Sequence, residues 1–288
     1  MTTFDLHQHL WPPSFIEALR ERTSAPHLDE GDELVTREGR FPVALRAHEL
    51  ETRVRSLDRD GIDVGVISLQ PSLGLAQLEA EECRQLEEAW CAGARELVES
   101  SGGRLRAFSP RVLDGFAGVS VGSGTFADFD AATPLLDAVS GAGLLLFVHP
   151  EAAAEPDPTR PEWWEWVVGY PSRMQEAYLS WLAFGRERWP TLRVLFAILA
   201  GGGPFQLERL ARQGVEVRSA LDPNTFFDVS THGRRAIELC IETFGVGQLV
   251  YGSDTPVVDP KPTLDAVRGF GDAVTHVLQR DTPERLLT

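Results

Sequence analysis

Lysine is almost missing from this chain: Lys261 is the only one among 288 residues. It follows the last strand-like run, so no mid-chain lysine exists to form the carbamate that can bridge two metal ions. A metal site built here would hold one ion. Cysteine is nearly as scarce. Cys83 and Cys91 lie eight residues apart on one predicted helix, a rise of roughly 12 Å and too far for a disulfide. Cys240 sits among apolar neighbours, no CxxC spacing occurs, and all three read as buried thiols. Basic charge is short as well: 27 Lys and Arg against 43 Asp and Glu give a net charge of -16. That balance excludes nucleic acid and anionic membrane as partners, because neutralising phosphates needs a basic surface. A small-molecule substrate is expected instead. No run approaches the roughly 20 apolar residues of a membrane span, and a strand-like run begins at residue 3, leaving no room for a leader. The expectation is a cytoplasmic protein. No Ser/Gly linker divides the chain, so residues 1–288 read as one domain.

What is present is an alternation of short apolar runs with longer helical segments, the pattern of βα units around a parallel sheet. Eight runs stand out: residues 3–8, 62–69, 104–109, 116–121, 143–148, 193–198, 225–230 and 248–252. Only the connection after the third is too short for a full helix. This predicts an α/β protein, a (β/α)8 TIM barrel. Residues 11–46 form one long excursion after the first strand, carrying Pro12-Pro13, a helical piece over 14–22 and a polar stretch without clear period. Such an insertion is a lid or an ordered surface segment.

Polar residues end several of these runs. Asp5-Leu6-His7-Gln8-His9 places His7 and His9 on one face of a strand. His149 ends the fifth run and Asp254 follows the eighth. In a closed parallel barrel those strand ends converge on the face where ligands gather. Three imidazoles and one carboxylate suit one divalent ion, Zn first, with Mn, Fe or Co as substitutes. Metal-bound water would become hydroxide near neutral pH, and Asp254 would both hold the ion and accept the water's proton. Asp5 is read as a cap or as facing away.

DLHQH at the start, LDRDGIDVGVIS at strand two, FVHP at strand five, AGGGP after strand six and YGSDTP at strand eight form an ordered set. In these pieces the chain resembles the amidohydrolase-related proteins, in the family-2 branch that includes aminocarboxymuconate-semialdehyde decarboxylase. The resemblance implies a distorted (β/α)8 TIM barrel of the metal-dependent hydrolase type, a mononuclear metal, and ligand roles for His7, His9, His149 and Asp254. One position departs from it. The family ends strand six with an acid/base histidine before the glycines, where this chain has Ala197-Ile198-Leu199-Ala200-Gly201. Leu199, or Ala200 under a one-place shift, cannot move a proton. His232, just past strand seven, is the candidate replacement, against a reading as a helix-capping or exposed histidine.

Hydrolysis of an amide, lactone or similar carbonyl is the first reaction class expected. Non-oxidative decarboxylation of a small unsaturated or aromatic acid is the alternative, and a barrel that binds without turnover is the third. The aromatic stripe Trp163, Trp164, Trp166, Tyr170, Met174, Tyr178, Trp181 reads as core or subunit contact before substrate wall. Together with the resemblance it points toward a homodimer. Gly201-Gly202-Gly203 reads as close packing rather than a phosphate loop, since no Lys-Ser/Thr follows.

Overall fold

Eight strands run parallel around the computed structural model, which describes residues 2–157, 159–217 and 221–288. They are β1 (Phe4–His9), β2 (Val64–Ser68), β3 (Leu105–Ser109), β4 (Gly118–Gly122), β5 (Leu145–His149), β6 (Val194–Phe196), β7 (Thr225–Asp228) and β8 (Leu249–Val250). Each pairs with its sequence neighbour. The seam between β8 and β1 closes through Leu6 N–H to Tyr251 O at 3.0 Å, Asp254 N–H to His7 O at 2.8 Å and His9 N–H to Thr255 O at 2.8 Å. The expected (β/α)8 TIM barrel is therefore the observed architecture. All eight predicted runs overlap their strand, β1, β4 and β5 extending one residue beyond theirs, and no helix lies between β3 and β4.

The strands are short and apolar because both of their faces are covered. Every residue of β1, β2 and β5 is buried. Phe108, Phe147, Phe196 and Phe227 are fully buried. The Phe147 ring lies edge-on to His7 with centroids 5.0 Å apart, closing the barrel beneath the histidines. Arg53, in the helix Leu50–Asp60, secures the seam from outside. Its guanidinium donates to Gln8 Oε1 (2.9 Å), His9 O (2.9 Å), Ala47 O (3.2 Å) and Thr255 O (3.2 Å).

The excursion is more ordered than its polar sequence predicts. After the helix Pro13–Arg20 it forms three short antiparallel strands, His27–Leu28, Glu33–Thr36 and Gly39–Pro42. The aromatic stripe divides along a helical run over 165–188. Met174, Tyr178 and Trp181 are core, whereas Trp163 and Trp166 stay about half exposed. Cys91 and Cys240 are buried and Cys83 half-buried, all three unpaired. No helix among the described residues is long and apolar enough to cross a membrane.

Candidate metal centre

Sequence alternation along β1 turns His7 and His9 into the barrel mouth, β5 delivers His149 at its last residue, and the turn after β8 delivers Asp254. One ligand atom from each lies within 4.8 Å of all the others. His7 Nε2 and His9 Nε2 are 3.1 Å apart, as are His9 Nε2 and His149 Nε2. Asp254 Oδ1 lies 3.4 Å from His7 Nε2 and 3.2 Å from His9 Nε2. The side chains of His7 and His9 are fully buried; that of Asp254 keeps 14% exposure and is the member reached from outside.

The far side of each ring decides what this cluster suits. His7 Nδ1 faces Asp228 Oδ2 at 2.7 Å, His9 Nδ1 faces Ser68 O at 3.0 Å, and His149 Nδ1 faces Pro150 O at 2.7 Å. These oxygens accept, so each Nδ1 carries the proton and each Nε2 presents a lone pair inward. Three lone pairs and a carboxylate aimed at one point repel one another unless a cation lies between them. The donor set fits a borderline divalent ion.

Electrostatics agree. Burial pushes the His149 imidazole well below its ordinary value, reinforced by His9 and His7, and burial lowers His9 too. At His7, burial is outweighed by Asp228 and Asp254, which raise it to about 9. Burial acts upward on Asp254, yet His7, His9 and His149 hold it below the usual carboxylate range. Without a cation the cluster would take a proton on His7 in its place.

Asp228 is the functional residue that sequence reasoning missed. Its only signal was a single acid inside the apolar run TFFDVS. It is fully buried, orients His7 and accepts the Ser230 amide at 2.6 Å. Gly252 makes the room: a Cβ there would stand 2.7 Å from His7 Cβ and 3.1 Å from Asp228 Cγ. Asp5 is outside the cluster, accepting from Ser253 N–H (3.0 Å) and Gln8 Nε2 (2.7 Å). His48 is structural, its Nδ1 accepting the Trp11 amide at 3.0 Å.

No family model matches the chain. It is 23% identical to the 2-amino-3-carboxymuconate-6-semialdehyde decarboxylase of Dictyostelium discoideum, over 95% of this chain and 88% of the other. In sequence and fold the chain is similar to the aminocarboxymuconate-semialdehyde decarboxylase-like group of amidohydrolase-related proteins. Among solved structures, the Metarhizium anisopliae IDCase superposes with a TM-score of 0.84 at 20% identity, covering 99% of this chain and 97% of that one. A 5-carboxyvanillate decarboxylase from Novosphingobium aromaticivorans, complexed with manganese and 4-hydroxy-3-methoxy-5-nitrobenzoic acid, gives 0.75 at 17%, covering 99% and 96%.

Within this barrel the departure at strand six takes an unusual form. Ile198, Leu199 and Ala200 have φ of 45°, 50° and 51°, followed by Gly201 at 60° and Gly202 at 82°. They make one left-handed turn above β6, beside the end of β5, since Ala197 N–H donates to Val148 O at 2.9 Å. Each non-glycine residue in that conformation costs about 1–2 kcal/mol. Strain of this kind persists where packing dictates it, commonly at functional sites. Gly201 is dictated: a Cβ would fall 1.9 Å from Pro171 O. His232 lies in the turn after β7, half-buried, its Nδ1 2.8 Å from Ser230 O. Among the described residues no hydrogen bond or ring contact links it to the four-residue cluster.

Proposed function

We propose that this chain is a metal-dependent carboxy-lyase for a small aromatic or conjugated carboxylic acid, with His7, His9, His149 and Asp254 as ligands of one divalent ion. The carrying observation is the buried set of three inward-facing Nε2 atoms and one carboxylate in a chain whose curated relative is a decarboxylase. Hydrolysis, the first class expected from sequence, draws no support from the named relatives. Zinc shares its place with manganese, which the Novosphingobium enzyme binds.

When bound, the ion supplies a positive centre that anchors the substrate carboxylate and polarises the groups attached to it. The histidines hold it and are themselves held by Asp228, Ser68 O and Pro150 O. In the reaction the bond between the ring or vinyl carbon and the carboxylate breaks, its electron pair stays on carbon, and CO2 departs. That carbon then takes a proton. Asp254 is the group placed to deliver it, being the member of the set open to the mouth. Its lowered pKa keeps it a carboxylate at rest, so it first takes the proton from water or a substrate hydroxyl. Leu199 and Ala200, buried after β6, exchange no proton. His232 is the second candidate for the proton transfer.

The test uses protein loaded with Mn²⁺ or Zn²⁺, a panel of hydroxybenzoates and carboxyvanillates, and separate amide and lactone panels in ¹⁸O-water. CO2 release without ¹⁸O in the other product is expected, lost in Asp254→Asn. Incorporation of ¹⁸O from an amide or lactone, with no CO2 from any acid, would restore the hydrolase reading.

A further inference from the structure

The excursion meets the barrel at its hairpin tip. Arg37 and Glu38 form the two-residue turn between the strands Glu33–Thr36 and Gly39–Pro42. The Glu38 side chain is only 4% exposed although it extends from a surface insertion. Its Oε1 accepts the Ala153 amide at 2.7 Å and its Oε2 accepts the Tyr170 hydroxyl at 2.5 Å. Arg37 adds contacts to Ala154 O at 3.5 Å and Gln77 O at 3.3 Å.

Ala153 belongs to the loop that begins with His149-Pro150. That loop is fastened at further points: Arg173 Nε donates to Glu151 O at 3.0 Å, and Glu151 Oε2 accepts the Gly124 amide at 2.9 Å. Arg173 lies 4.0 Å from Glu38 and 2.9 Å from Glu165. The loop carries Pro150 O, the acceptor that fixes the His149 ring and its tautomer. A short covalent path therefore runs from the Glu38 carboxylate to the orientation of a proposed ligand, three residues from the anchored amide to the carbonyl.

We infer that Glu38 is a positioning residue for the metal centre: the hairpin tip, latched between Ala153 and Tyr170, holds the loop after β5 and thereby keeps His149 aligned. The inference rests on the metal-site reading above. Outer partners of metal ligands, when removed, typically cost about 10–100-fold in affinity, and this latch acts one step further out.

The experiment loads wild type, Glu38→Gln, Glu38→Ala and Tyr170→Phe with Zn²⁺ and follows ion release to excess chelator with a chromogenic dye, alongside thermal melting of the chelated proteins. Release about tenfold faster is expected from Glu38→Ala. Glu38→Gln, which still offers an oxygen to the Ala153 amide, should recover most of the wild-type rate, and Tyr170→Phe should fall between. A generic loss of stability would not discriminate Gln from Ala in release while leaving their metal-free melting alike. Wild-type release from a folded Glu38→Ala protein overturns the positioning role; should that variant not fold, unchanged release from Tyr170→Phe overturns it. A wild type that takes up no Zn²⁺ or Mn²⁺ overturns the metal-site reading itself, and this inference with it.

Discussion

At the residue scale, the groups behind the histidines are expected to matter as much as the proposed ligands. Asp228→Asn is expected to keep the fold yet weaken metal binding by about 10–100-fold, read by competition with a chelator of known affinity, because the amide cannot compensate the His7 ring as the carboxylate does. His48 gives a pH signature. Burial, then Arg53 and His9, depress it to about 3, whereas in the unfolded chain it titrates near 6.5. The unfolded state then binds the extra proton between those values. Stability from this residue is complete above about pH 6.5 and falls by up to about 1.4 kcal/mol per pH unit toward pH 3. His48→Asn, which does not titrate and still offers an oxygen to the Trp11 amide, should flatten the fall of the urea midpoint between pH 6 and pH 4. The convergence of His7, His9, His149 and Asp254 was legible from strand ends alone, because alternation and barrel convergence are properties of spacing. Asp228 was not, since a lone acid in a run carries no partner in its own neighbourhood.

At the element scale, the eight strands and most helices could be read because burial on both faces writes itself as apolar runs. The helices Pro204–Arg212 and Arg234–Phe244 lie between the predicted strand-like runs. The small sheet of the excursion could not be read: its strands are two to four residues long, half-exposed, and held by tertiary anchors such as Glu38. The left-handed turn at 198–202 was equally hidden, because nothing in Ile-Leu-Ala favours positive φ. Packing of the helix Tyr170–Ser180 imposes it. Gly201→Ala should therefore destabilise by more than about 2 kcal/mol in denaturant melts, combining a backbone clash with a disfavoured conformation. Gly214→Ala, at a positive φ with nothing within 4 Å, should cost about 1–2 kcal/mol.

At the scale of the whole molecule, the cluster joins the first strand, the fifth and the turn after the eighth, so an ion bound there ties the seam of the barrel shut. An ion at a hundred times its dissociation constant stabilises the fold by about 2.7 kcal/mol. Chelation is expected to lower the melting temperature by several degrees, and His7→Ala to abolish the difference between metal-loaded and chelated protein. The seam has a further consequence during folding. Asp254 N–H reaches His7 O only when the turn after β8 meets β1. Before that closure His7 and His9 would form a two-toothed chelator without the carboxylate, open to any passing cation. On the proposed site, the choice of ion is then postponed until the last strand pairs with the first, and is made by a finished barrel.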